Sequence, residues 1–103
     1  MLEPVPAVEV TLADGSAAAL RLVATERYDL ILLDLLMPGL GGIEVLGRIR
    51  NASVNRKTPV IIVSSMNDPP TKIACESLGV SDYIVKPLRR DKVIAAVNGV
   101  LGG

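Results

Sequence analysis

With 103 residues, 50% of them hydrophobic and 21% charged, the chain can build the core of one domain and is not a disordered segment. Eleven basic residues balance eleven acidic ones and only two residues are aromatic, which argues against a phosphate-gripping surface or a base-stacking platform, and so against nucleic-acid binding. The absence of His excludes Ser-His-Asp and Cys-His catalysis and His-ligated zinc, and the lone Cys75 excludes a disulfide framework. Cys75 reads as a small core residue of a helix in a protein from a reducing compartment. No run approaches the roughly 18 apolar residues of a membrane span, so a soluble, cytoplasmic protein is expected. Zero net charge offers little repulsion against self-association.

Four strand-like runs alternate with four helix-like ones. Val8, Val10 and Leu12 alternate with Glu9 and Thr11, as in a half-buried edge strand. Asp14-Gly15-Ser16 ends that run, and Ala17 to Arg27 is rich in helix formers. Leu30 to Leu33 is a continuous apolar run, typical of a strand covered on both faces. After Gly41-Gly42, Ile43, Leu46 and Ile49 form a helical stripe, with Arg48 and Arg50 near the end where the helix dipole favours cations. Val60 to Val63 is a second fully apolar strand. Asp68 before Pro69-Pro70 is a cap-and-proline start for a helix that stops at Gly79. Tyr83 to Val85 forms a short strand that stops at Pro87. Arg89 to Leu101 is the last helix, with Val93, Ala96, Val97 and Val100 on one face.

Strict alternation predicts a single α/β domain over residues 1–103, with a doubly wound parallel sheet and helices on both sides. Chemistry in such sheets gathers beyond the carboxyl ends of the strands. Those ends carry Asp14, Asp34, Ser64 with Ser65, and Lys86. Singly, each has a plainer role: an Asx turn, a turn former, a solvated charge. Together, a carboxylate, a hydroxyl and an ammonium on three strand ends suit a phosphoryl group. The carboxylate attacks, the hydroxyl donates to an equatorial oxygen and the ammonium balances charge.

The runs LILLDLLMPGLGG, TPVIIVSS and GVSDYIVKP, in this order, resemble the three signature segments of the response-regulator receiver family of two-component signalling. The resemblance runs from about Val8 to the end and implies a flavodoxin-like fold. It implies Asp34 as the phosphoacceptor, charged by a histidine kinase or phosphotransfer protein, with Ser64 binding the phosphoryl group and Lys86 as its charge partner. Ser64 and Tyr83 would be the switch residues, and the bond before Pro87 would be cis. Mg²⁺ would be held by Asp34 and the backbone carbonyl of Leu36. The family is a signalling switch rather than a turnover enzyme, and its output here would pass to a downstream effector protein.

One part of the family pattern has no counterpart. A first strand ending in an acidic pair, and the helix after it, find no room before Val8, which matches the family's second strand. The expected fold is thus shortened to about four strands and four helices. Mg²⁺ relies on carboxylates, so its site would be weak. The gap in the sheet would be closed by an inward shift of the first strand, or by a partner chain, with strand exchange between identical chains giving a homo-oligomer. The inward shift would bring Asp14 beside Asp34 as a substitute acid, against its plainer reading as an Asp-Gly turn. A degenerate receiver, serving as an interaction or oligomerisation module without phosphate, is the rival reading. A nucleotide-binding enzyme would want a Gly-rich loop after the first strand, and Asp14-Gly15-Ser16 is not one.

Overall fold

The computed structural model describes residues 15–35, 41–52 and 54–101. Their order is α1 (Ser16–Thr25), β1 (Ile31–Asp34), α2 (Gly42–Ala52), β2 (Val60–Ser64), α3 (Pro69–Ser77), β3 (Asp82–Val85) and α4 (Arg90–Leu101). The strands form a parallel sheet in the order β1-β2-β3, with Leu33 opposite Ile62 and Ile62 opposite Tyr83. The alternating α/β pattern therefore gives the parallel architecture expected of it. The expected strand at Val8 to Leu12 lies outside the described residues, as do Asp14 and Leu36.

Strand β2 is the middle strand of the described sheet, and all five of its residues are buried. Two-residue alternation divides its side chains between the faces. Val60 and Ile62 join Leu33 and Leu35 beneath Val45, Leu46 and Ile49 of α2, Ala19 and Val23 of α1, and Cys75 of α3. Ile61 and Val63 are also buried and point the other way. On that second face Leu32, paired with Ile61, is 50% exposed. Helix α4 packs on β3, and its expected face of Val93, Ala96, Val97 and Val100 is only half-buried, so α4 has no fully buried residue.

The helix boundaries follow local chemistry. Helix α3 begins where Asp68 accepts the Thr71 N–H at 3.1 Å and the Thr71 hydroxyl at 2.7 Å, with prolines in the first turn. It ends at Ser77, and Gly79, two residues on, has a φ of +72°, the left-handed conformation that glycine tolerates best. Helix α1 was expected to reach Arg27 but stops at Thr25. Glu26 is extended, and the carbonyls of Val23 and Glu26 both accept from the buried Asn55 amide at 2.8 and 2.7 Å. A side chain from a distant loop thus replaces the next helical turn.

Candidate functional site

Three strand ends meet at the carboxyl edge of the sheet. Asp34 is the last residue of β1 and Ser64 the last of β2, and Lys86 follows β3 directly. The apolar residues before each are anchored in the ladder, so the strands fix where the three polar side chains emerge. The Lys86 N–H donates to the Ser64 carbonyl at 2.8 Å, extending the β2–β3 ladder by one bond. The peptide joining Lys86 to Pro87 is cis. Lys86 Nζ donates to Asp34 Oδ2 at 2.6 Å, bridging across the end of β2.

This ion pair is open to solvent, with its two side chains 37% and 38% exposed. Such pairs contribute only about 0–1 kcal/mol to stability, so the fold does not depend on it. What it presents is a carboxylate held in place, charge-balanced and reachable from outside. Ser64 lies between the two strands and is fully buried. Its Oγ accepts the Met66 N–H at 3.0 Å, which leaves the O–H hydrogen to donate.

Tyr83 is tied to the same loop. Its hydroxyl donates to the Met66 carbonyl at 2.7 Å, so one residue links Ser64 through its N–H and Tyr83 through its C=O. The Tyr83 ring packs against the core, and Lys72 Nζ of α3 stands 5.7 Å from the ring centroid. The hydroxyl is therefore tethered, and any move of the Met66 loop must break or carry that bond.

Among the described residues no three acidic, His or Cys side chains gather as a metal-binding group. The described strand ends bring one carboxylate, Asp34, toward a cation. One carboxylate is a sparse set for Mg²⁺, which favours six oxygens in a tight octahedron. The other expected contributors, Leu36 and Asp14, lie outside the described residues.

Two groups whose roles the sequence does not announce dominate the opposite, amino edge of the sheet. Arg50, which by sequence is only a cation suited to a helix end, spreads its guanidinium over four carbonyls. It reaches Leu78 at 2.8 Å, Thr58 at 2.7 Å, Arg56 at 3.1 Å and Gly79 at 3.2 Å. Partial burial holds its pKa below the ordinary arginine value. Asn55 is fully buried; besides its two donations to α1, its Oδ1 accepts the Tyr28 N–H at 2.8 Å and the Thr58 hydroxyl at 2.9 Å. Nothing in the local sequence distinguishes Asn55 from an ordinary turn residue.

Comparison with known proteins gives the family and the fold. Residues 1–98 match the family model of the response regulator receiver domain. The uncharacterized transcriptional regulatory protein YkoG of Bacillus subtilis is 34% identical over 92 residues, covering 89% of this chain and 40% of YkoG. Response regulator ArlR of Staphylococcus saprophyticus is 39% identical over 77 residues, covering 75% of this chain and 34% of ArlR. The chain thus spans about a third to two fifths of these relatives' length. Among solved structures, the receiver domain of sensor histidine kinase PA1611 from Pseudomonas aeruginosa PAO1 superposes with a TM-score of 0.81 at 28% identity. The match covers 92% of this chain and 78% of that one, which holds a magnesium ion in its active-site cleft.

Proposed function

The chain belongs to the response regulator receiver domain family, and on that premise we propose that Asp34 is its phosphoacceptor. A carboxylate oxygen of Asp34 attacks the phosphorus of a phosphohistidine on a histidine kinase or phosphotransfer protein. The new O–P bond forms as the P–N bond breaks, and the leaving imidazole takes up a proton. Lys86 balances the charge of the transferred group and Ser64 donates its O–H to an equatorial oxygen. The observation that carries this reading is the 2.6 Å contact between Lys86 and Asp34, made across the strand that ends in Ser64.

Magnesium enters this reading as a weakly held ion with Asp34 as ligand, joined by the Leu36 carbonyl and, if the first strand lies inward, by Asp14. When Ser64 turns its hydroxyl toward a phosphoryl group, it gives up its bond to the Met66 N–H. The Met66 peptide then moves, and with it the anchor of the Tyr83 hydroxyl. The surface around α3 and β3 changes accordingly, and a downstream effector protein reads that change.

Intact mass after incubation with acetyl phosphate and Mg²⁺ tests the proposal. One added phosphoryl group, absent in Asp34→Asn, is the expected result. Folded protein that gains no mass would sink it in favour of a phosphate-independent interaction module.

A further inference from the structure

We propose that Gly42 is a positioning residue for Asp34, setting where the carboxylate sits relative to Lys86; the inference rests on the phosphoacceptor reading above. Gly42 opens α2, and its N–H donates to the Leu35 carbonyl at 3.0 Å. A Cβ at this position would stand 2.4 Å from Leu35 Cα, 2.9 Å from the Asp34 carbonyl oxygen and 2.9 Å from Leu35 Cδ2. Two of those atoms are backbone, which cannot rotate away as a side-chain tip can.

The glycine is not required by backbone conformation. Among the described glycines only Gly15 and Gly79 have positive φ. Close approach is what position 42 demands: the first turn of α2 is pressed onto the peptide that joins Asp34 to Leu35. A methyl group there must part the two segments by about 1 Å to reach ordinary carbon contact. The peptide it pushes carries the Asp34 carbonyl, so the displacement passes to the Asp34 Cα and on to the carboxylate. A misplacement of about that size can cost a reacting group about a hundredfold in rate. Gly41 and Gly47, immediately before α2 and within it, would have nothing within 4 Å of an added Cβ and serve as matched controls.

The experiment compares Gly42→Ala with Gly41→Ala and Gly47→Ala in phosphoryl uptake from acetyl phosphate at saturating donor, alongside thermal melting. Gly42→Ala is expected to slow uptake about tenfold or more, while both controls keep the parent rate and Gly47→Ala melts higher because Ala favours helix. A parent-like rate in folded Gly42→Ala overturns the proposal. If Gly42→Ala does not fold, Gly47→Ala is added to it for helix stability; a double variant that still fails to fold reduces Gly42 to a packing residue and also overturns the proposal. Should the parent protein itself take up no phosphoryl group, the phosphoacceptor reading fails separately. Crystallographic comparison of the Lys86 Nζ to Asp34 Oδ2 distance then decides the matter: lengthening in Gly42→Ala supports positioning, and an unchanged 2.6 Å refutes it.

Discussion

The two edges of the sheet are built to opposite plans. At the amino edge, Asn55 and Arg50 gather backbone carbonyls and N–H groups from α1, the β2-preceding loop and the end of α3, and Asn55 is wholly buried. At the carboxyl edge, Asp34 and Lys86 meet in a pair more than a third exposed. One edge closes polar groups away from water, where leaving any of them unpaired is costly. The other keeps its polar groups accessible, where losing one disturbs the fold little. Buried and exposed polar groups are thereby separated by the length of the strands.

The sharpest way to break this contrast is Asn55→Ala. It strips partners from the carbonyls of Val23 and Glu26 and from the Tyr28 N–H in one step. A loss of about 3–5 kcal/mol in urea unfolding is expected, since several buried groups are orphaned together. A loss below about 1 kcal/mol would show that the amino edge is not the anchor of the fold. Next comes Arg50→Met, which keeps the apolar stem and removes the fork. About 2 kcal/mol should go, with Arg50→Lys recovering less than half because an ammonium cannot span four carbonyls.

At the open edge the expected stability effects are small and the functional ones large. Asp34→Asn should change unfolding free energy by no more than about 1 kcal/mol while abolishing phosphoryl uptake. A large destabilisation would make Asp34 structural and collapse the distinction between the edges. Acid gives a gentler test. The bonds from the Thr71 hydroxyl and N–H hold the Asp68 carboxyl below its ordinary range. Its folded pKa is depressed, so its contribution is complete above the unfolded value and is lost as pH falls through the folded one. The protection of the Thr71 amide against hydrogen exchange, relative to the intrinsic rate at each pH, should therefore fall in acid, and Asp68→Ala should remove that dependence. The described hydrogen bonds of Asn55 and Arg50 join them to backbone groups and the Thr58 hydroxyl, which do not titrate in acid, so the amino edge should keep its protection over the same range.

The same division explains what could be read from the sequence. Strands β1, β2 and β3 and the polar residues at their ends were legible because each signal is local: an apolar run followed by Asp34, Ser64 or Lys86. The Asp68 cap was legible for the same reason. Asn55 was not, because its partners on Tyr28, Glu26 and Val23 lie 27 to 32 residues away and only the folded chain brings them near. Arg50 was seen as a charge on a helix end, whereas its role is set by the carbonyls of Leu78 and Gly79, 28 and 29 residues on. Gly42 could be recognised as a helix boundary but not as a point of contact with Asp34 and Leu35. The half-buried stripe of α4 was correctly placed on one face, but periodicity says nothing of how deeply that face is covered.

That shallow covering has a mechanical consequence. Helix α4 runs through the last described residues and buries none of its own side chains completely. A tether pulling on residue 101 loads this helix first, peeling it from β3, while Asn55 and Arg50 lock parts of the molecule that the load has not reached. Under force the protein should lengthen in two stages. A short, low-tension extension, the release of α4, would come first, and the abrupt rupture of the remaining sheet would follow.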